Sequence, residues 1–236
     1  MQPTQTECNQ CGTCCANGGP ALHRDDKKLI EAGTIPISHL ITIRKNELVH
    51  HPITGKVQPV KNELIKISGI GKKWSCYFFD PDLKSCTIYD TRPKSCRELE
   101  CWNTEAIEKI IEKDLLNRAE LIDADNPLYR AVVEHEETFP CPDLESLLEK
   151  GSGGDNGNLE GLANDEVTFR SEQVSRHDLS LGEELFYFGR PLFHLLMSVG
   201  AVVSEAGDLR DGIFPEWPEK SRLLFPGPAD NQPAIR

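Results

Sequence analysis

Eight of the nine cysteines in this 236-residue chain fall into two groups. The first cysteine group reads C-x2-C-x2-C-C and consists of Cys8, Cys11, Cys14 and Cys15. The second cysteine group consists of Cys76, Cys86, Cys96 and Cys101. Thiolates bind soft metals, and two intervening residues let a tight turn aim two sulfurs at one point. The spacing therefore predicts that all eight cysteines are ligands of a metal or iron–sulfur centre.

The alternative interpretation is that these are buried apolar cysteines, which are common in protein cores. However, the residues around the first cysteine group are Gly, Asn, Gln and Thr, which do not form a core pattern. The opening stretch MQPTQTECNQ is polar and lacks the apolar run of a secretory signal, so we expect a cytoplasmic protein. Cytosolic thiols stay reduced, which favours metal ligation over disulfides. Cys141 stands alone before Pro142 and is expected to be a bystander.

One short loop rarely encloses a tetrahedral site alone, so the first cysteine group should need ligands from the second. The sequence leaves open whether the thiols form one site or two. All-sulfur ligation suits zinc and iron–sulfur clusters alike. The C-x2-C-x2-C run is closer to ferredoxin-type spacing, whereas zinc fingers usually show paired CxxC knuckles. We therefore favour an iron–sulfur cluster of the 4Fe–4S kind over Zn2+.

The elements that must position the cysteines predict an α+β fold, with a β-hairpin, surrounding helices and a helical C-terminal segment. ITIR at 41–44 and ELIKI at 63–67 alternate apolar and polar residues, as strands do. WSCYFF and SCTIYD are rich in aromatic and β-branched residues and predict one hairpin that carries Cys76 and Cys86. Apolar residues at helical spacing predict the clearest helix over 104–122.

The run GSGGDNGN is flexible by composition and suggests a break between two parts of the chain. We therefore predict a cysteine-cluster metal-binding domain over 1–150, a Gly-rich linker over 151–164 and a helical segment over 165–236. In that segment Ser180 and Glu183 fit a capping box at a helix start. Its end is proline-rich and is expected to be loose.

The net charge of −12 argues against a nucleic-acid partner, because phosphate binding needs a basic surface. The most apolar stretch, 185–203, contains Arg190, Pro191 and His194 near its middle, and such residues are costly in lipid. This stretch therefore predicts buried helices, with no membrane partner. The sequence identifies no protein partner.

Several ordered motifs resemble a known family. They are C-N-Q-C-G-T-C-C at 8–15, W-S-C-Y-F-F at 74–79, C-T-I-Y-D-T-R-P-K-S-C-R at 86–97 and C-W at 101–102. Over roughly residues 8–103 the chain resembles the CxxCxxCC cysteine-cluster proteins, the YkgJ-like family of zinc- or iron-chelating domains. The resemblance implies a bound iron–sulfur cluster or zinc. Our leading hypothesis is that such a centre acts in electron transfer or in stability.

A flagellin lysine-N-methylase is similar in its cysteine motif, so a protein-modifying enzyme that uses the centre structurally is the alternative function. No glycine-rich loop after a strand suggests a methyl-donor site, and no catalytic residue can be assigned. A zinc-structural interaction module is a further alternative. Whether the chain is an enzyme stays open at this point.

A few other side chains near the cysteines could take part. Arg92 and Arg97 flank Cys96 and could either neutralise a negatively charged centre or form salt bridges with nearby aspartates, Asp80, Asp82 or Asp90. His23 follows the first cysteine group and is a candidate extra ligand. Asp25 and Asp26 look like the start of a short helix.

Overall fold

The computed structural model describes residues 5–6, 8–71, 74–150 and 158–201. The helices in these ranges are α1 (Thr13–Ala16), α2 (Lys27–Glu31), α3 (Lys94–Glu98), α4 (Glu105–Ile110), α5 (Tyr129–Thr138), α6 (Leu144–Lys150), α7 (Leu159–His177), α8 (Leu181–Phe188) and α9 (Leu192–Ser198). The strands are β1 (Leu40–Ile43), β2 (Leu48–His50), β3 (Val57–Pro59), β4 (Leu64–Ile67), β5 (Gly69–Ile70), β6 (Ser75–Cys76), β7 (Phe79–Asp80) and β8 (Ser85–Cys86). This mixture of helices and short antiparallel strands confirms the predicted α+β class.

The central strand pair is formed by the two segments that alternate in sequence. β1 runs antiparallel to β4, with Leu40 opposite Ile67 and Ile43 opposite Leu64. Residues of β4 alternate between half-buried and buried, as expected for a strand with one solvent-facing side. All four residues of β1 are buried instead, because α8 packs on its other face.

The packing of α8 on β1 brings the C-terminal helices into the same core as the strands. The Thr42 hydroxyl in β1 donates a hydrogen bond to the Phe186 carbonyl in α8, at 2.5 Å. The Phe186 and Phe188 side chains are fully buried against Leu22 and Ile65 in one hydrophobic cluster. Burial of each such aromatic side chain contributes about 1.5–3 kcal/mol to folding.

The predicted domain boundaries remain a prediction. Within the expected linker over 151–164, residues 151–157 lie outside the described part of the chain, and α7 begins at Leu159. The expected proline-rich tail also lies outside the described residues. The predicted capping box is confirmed at the start of α8, where Ser180 accepts from the Glu183 amide and the Glu183 side chain accepts in return.

The helix predicted over 104–122 is confirmed only as far as Ile110, and the prediction is wrong beyond it. α4 ends at Ile110, and Glu112 then takes a positive φ of 61°. The chain turns here because the next segment pairs with strand-like backbone: the Leu116 amide donates to Leu22 at 2.9 Å, and its carbonyl accepts from Ile65 at 3.0 Å. These tertiary backbone bonds outweigh the helical spacing of the apolar residues.

A set of ionisable side chains, most of them buried, ties α5, α7 and α8 to the segments that contain Arg44 and Arg118. We call it the buried ionic network, and it consists of Arg44, Arg118, His135, Glu136, Glu166, Arg170 and Glu184. Arg170 lies at its centre, with its Nε 2.6 Å from Glu184 Oε1 and its Nη1 3.2 Å from Glu166 Oε1. Buried charges of this kind are tolerated only when they are paired and hydrogen-bonded.

Glu136 joins the two arginines that come from the first half of the chain. Arg44 Nε lies 2.8 Å from Glu136 Oε1, and Arg118 Nη2 lies 2.5 Å from the same oxygen. Burial by itself raises the pKa of this carboxyl. The hydrogen bond with His135 and the charges of the two guanidinium groups outweigh burial and hold the pKa well below its usual range. Glu136 is therefore ionised at neutral pH.

No helix within the described ranges is long and apolar enough to cross a membrane.

Candidate metal centre

The first cysteine group lies in a loop that ends in the one-turn helix α1. Gly12 precedes this helix with a φ of 74°, a backbone conformation that favours glycine. A side chain at this position would collide with the ring of Phe79 and approach the Lys84 carbonyl. Gly12 therefore lets the loop lie directly against the hairpin formed by β7 and β8.

The second cysteine group is spread over three elements. Cys76 lies on β6, opposite Gly69, and is buried. Cys86 lies on β8, opposite Phe79, and Cys96 lies in α3; both are half-buried. The prediction of one hairpin that carries both Cys76 and Cys86 is thus wrong.

The reason for this difference is that β6 pairs with the strand before it, β5, and not with β8. The Trp74 ring occupies the space that a side chain at Gly69 would need. The glycine therefore permits a pairing that the aromatic pattern alone does not indicate. Beyond this pair, β7 and β8 form the second, separate hairpin.

Cys15 connects the two cysteine groups. Its thiol has one hydrogen, which has two acceptor sulfurs within reach, those of Cys14 and Cys86. The bond from Cys15 lowers the pKa of Cys14 to about 6, against an opposing effect of burial. The same donor lowers the pKa of Cys86 to about 6. Donation to these two partners, together with burial, raises the pKa of Cys15 far above its usual range.

Cys76 and Cys96 complete an inner group of five thiols, with Cys14, Cys15 and Cys86. Burial raises the pKa of Cys76 to about 11. Burial, followed by the charges of Cys76 and Cys86, raises the pKa of Cys96 to about 12. The negative charges of these thiolates repel one another, so full ionisation of the group is unfavourable without a cation. Soft, mutually close sulfurs are the donor set that zinc and iron–sulfur clusters take.

The other three cysteines, which we call the rim cysteines, are exposed: Cys8, Cys11 and Cys101. The Cys8 sulfur accepts from the Gln10 amide at 3.4 Å and is also hydrogen-bonded with Tyr89. The Cys11 sulfur lies 3.2 Å from the Thr13 hydroxyl, and this hydrogen bond lowers the pKa of Cys11. Cys101 accepts from the Gln5 side chain at 3.8 Å.

Within the described ranges, no three side chains of cysteine, histidine, aspartate or glutamate already have the geometry of a metal site. Cys15 is instead hydrogen-bonded with Cys14 and Cys86. Ligation of a metal would replace these bonds. The assignment of all eight cysteines as ligands therefore stays a prediction, with the inner group as its best-supported part.

Arg92 lies beside the centre. Its guanidinium stacks on the Tyr89 ring at 3.9 Å, and its charge lowers the pKa of Cys86. Arg97 donates to the Arg92 carbonyl at 2.6 Å. In the described part of the chain neither arginine forms a salt bridge with the aspartates considered from the sequence, Asp80, Asp82 and Asp90. This placement favours a role for Arg92 in balancing thiolate charge.

His23 is buried but has no free ring nitrogen for a metal. Its Nδ1 lies 2.9 Å from the Lys113 carbonyl, and its Nε2 lies 2.9 Å from the Ser95 hydroxyl. Two residues that sequence reasoning missed, Asp26 and Ser95, lie in the same contact region. From the sequence, Asp26 is interpreted only as the start of a helix. The sequence does not show that its carboxylate accepts a hydrogen bond from the backbone amide of a distant residue, Lys94.

Together the thiols and their supporting contacts define a cysteine-rich metal-binding domain. Residues 7–114 match the family model CxxCxxCC, whose description is "Putative zinc- or iron-chelating domain". This match spans both cysteine groups and confirms the resemblance seen in the motifs. No curated protein and no solved structure matches the chain. Cys141, on the other hand, falls outside the matched region.

Proposed function

We propose that this protein holds an iron–sulfur cluster through its two cysteine groups. The inner group supplies the main ligands, and the rim cysteines Cys8, Cys11 and Cys101 complete the set. The observation that supports the proposal is that thiols from four elements, α1, β6, β8 and α3, influence one another. Cys15 contacts Cys86, and, after burial, the charges of Cys76, Cys86 and Cys14 raise the pKa of Cys96.

The surroundings of the inner group support an electron-transfer or structural role. Cys76 is buried, whereas Cys14 is exposed, so the thiols lie between the core and the surface. An iron–sulfur cluster bound there would supply one-electron transfer close to the surface. The positive charge of Arg92 offsets part of the negative charge that cysteine-ligated clusters carry. Bound metal would also cross-link the four elements and stabilise the fold.

The test is metal analysis of the full chain purified without oxygen. Stoichiometric iron and acid-labile sulfide, with broad visible absorption, are the expected result. A colourless protein with stoichiometric zinc would overturn the iron–sulfur assignment and leave the thiol centre in place. A chain that contains neither metal, and binds neither after reduction of its thiols, would overturn metal binding itself.

A further inference from the structure

Three side chains outside the cysteine groups connect the segment after α1 to helix α3, which carries Cys96. They are His23, Asp26 and Ser95. His23 is 2% exposed and Asp26 is fully buried. Both are polar residues in a region where unpaired polar atoms would be costly. The hydrogen-bond partners of His23 and Asp26 therefore indicate the role of these two residues.

Asp26 holds the first backbone amide of α3. Its Oδ1 accepts from the Lys94 amide at 2.8 Å, and its Oδ2 accepts from the His23 amide at 2.9 Å. Pro93 precedes Lys94 and has no N–H, so Lys94 provides the first amide of this helix. One carboxylate thus joins the start of α3 to the chain at position 23.

His23 holds the next residue of α3. A carbonyl can only accept, so the ring donates through Nδ1 to the Lys113 carbonyl. This fixes the ring, and its Nε2 then meets the Ser95 hydroxyl at 2.9 Å. The same hydroxyl lies 3.0 Å from the Ala21 carbonyl, which is a second acceptor for its one hydrogen. Ser95 is therefore held from two points of the segment that follows the first cysteine group.

These contacts fix the two residues that directly precede Cys96. The Cys96 amide donates to the Pro93 carbonyl at 3.0 Å, so the cysteine belongs to the same turn as Lys94 and Ser95. A shift of this turn would move the Cys96 sulfur relative to Cys14 and Cys15. The contacts on α3 therefore set the distance between thiols from the two cysteine groups.

We propose that Asp26, His23 and Ser95 form a latch that positions Cys96 and thereby sets how firmly the centre retains its metal. This inference rests on the proposed function. The three are positioning residues and not ligands, because both oxygens of Asp26 and both ring nitrogens of His23 are already hydrogen-bonded. Groups that orient metal ligands in this way commonly change metal affinity by about 10–100-fold when they are removed.

Asp26→Asn and Asp25→Asn form a matched pair for the test. Both remove one carboxylate, and both residues contact Lys94: Asp26 through the backbone amide, and exposed Asp25 through the side-chain ammonium at 2.8 Å. Asp26→Asn turns one acceptor oxygen into an amino group that faces an N–H. The measurement is the rate at which the purified full chain loses its bound metal to excess EDTA, followed by elemental analysis.

Asp26→Asn is expected to lose metal at least about ten-fold faster than the wild type, while Asp25→Asn releases it at the wild-type rate. Ser95→Ala, which removes only one hydroxyl, should also speed release. If Asp26→Asn does not fold, Ser95→Ala together with His23→Asn decides the question. His23→Asn keeps a donor for the Lys113 carbonyl but no longer reaches Ser95.

A spectroscopic measurement separates positioning from a general loss of stability. After reconstitution with Co2+, the intensity of the thiolate-to-cobalt absorption reports how many sulfurs bind the metal. Latch variants should show a weaker band than Asp25→Asn. Wild-type band intensity and wild-type release in Asp26→Asn and Ser95→Ala would overturn the latch, even if these variants unfold at lower temperature. A wild type without metal would instead contradict the proposed function.

Discussion

The thiol of Cys15 donates a hydrogen bond to the sulfur of Cys86, so the one-turn helix α1 is in direct contact with strand β8. This single contact places the first cysteine group against the second. It also leaves Cys15 protonated between two sulfurs that ionise easily. Cys15 therefore joins Cys14, its neighbour in α1, to Cys86 on the hairpin of β7 and β8.

Replacing Cys86 with serine should remove most of the bound metal. Cys86 is half-buried within the inner group, and its loss removes both a proposed ligand and an acceptor for Cys15. Elemental analysis of the purified variant measures the change.

Cys141→Ala is the matched control, because Cys141 is buried but packs with α6 and α9 in another hydrophobic cluster. That control should keep full metal content and lose about 1 kcal/mol of stability. Full metal in Cys86→Ser would contradict the ligand assignment.

The metal-free, reduced protein should contain unusually acidic thiols. Cys14 and Cys86 have a pKa of about 6, so they are thiolates at pH 7.5 and thiols at pH 5. The rate of alkylation by iodoacetamide as a function of pH, resolved by mass spectrometry, measures this. Because both folded pKa values lie below the ordinary 9.0, ionisation stabilises the metal-free fold increasingly as the pH rises from about 6 towards 9.

Cys15→Ala provides the control for this titration. It removes the donor that lowers both pKa values, so the alkylation midpoints of Cys14 and Cys86 should rise towards 9.0. Burial of the two sulfurs opposes ionisation in either protein and cannot produce such a difference. An unchanged midpoint in Cys15→Ala would show that another group stabilises the thiolates.

Glu136→Gln should destabilise the protein at neutral pH. It leaves the buried guanidinium of Arg44 and that of Arg118 without their shared carboxylate. Loss of one partner of a fully buried pair costs about 3–5 kcal/mol; we expect about 2 kcal/mol, because the Glu136 side chain is 35% exposed and water screens it. Denaturant unfolding measures the difference, with exposed Glu137→Gln as a near-neutral control.

The loss of stability caused by Glu136→Gln should become smaller as the pH falls. The folded pKa of Glu136 lies below its ordinary value of 4.5, so its contribution is complete above that value. The contribution is lost as the pH falls through the lower, folded pKa. The two proteins should therefore converge in stability in acid. A difference that grows on acidification would contradict the assignment of Glu136 as an ionised partner.

Gly182→Ala should weaken the packing of α8 although alanine is the better helix former. A Cβ at Gly182 would collide with the Ser38 carbonyl, which is backbone and cannot rotate away. Overpacking of this kind typically costs about 1–3 kcal/mol.

Gly161→Ala in α7 is the control, since the atoms nearest to its Cβ would belong to the movable side chain of Asn158. That change should be neutral or stabilise by up to about 1 kcal/mol. Equal thermal shifts in the two variants would contradict the close approach of α8.

Local patterns in the sequence were sufficient for several elements. The alternation of ITIR and ELIKI predicts β1 and β4, and the Ser180–Glu183 spacing predicts the start of α8. The cysteine spacing likewise identifies the domain that the family model matches. Each of these signals depends on residues close together in the chain, so no knowledge of tertiary contacts is needed to interpret them.

Other features could not be predicted, because they depend on contacts between distant residues. The apolar residues after Ile110 have helical spacing, but the backbone there forms hydrogen bonds with Leu22 and Ile65 and is not helical. The pairing of Cys76 with Gly69 depends on where the Trp74 ring packs. Asp26 and Ser95 are ordinary polar residues in sequence, and only the fold shows that they meet at α3.

The hydrogen bond between Thr42 and Phe186 joins positions that are 144 residues apart. A chain emerging from the ribosome therefore has both cysteine groups available long before the helix that covers β1 exists. Until that helix arrives, the apolar strand has one face open to other chains, as incompletely folded species do. Contacts between such distant positions also slow folding, because a long loop must close first. Completion of the core is thus a late step in synthesis.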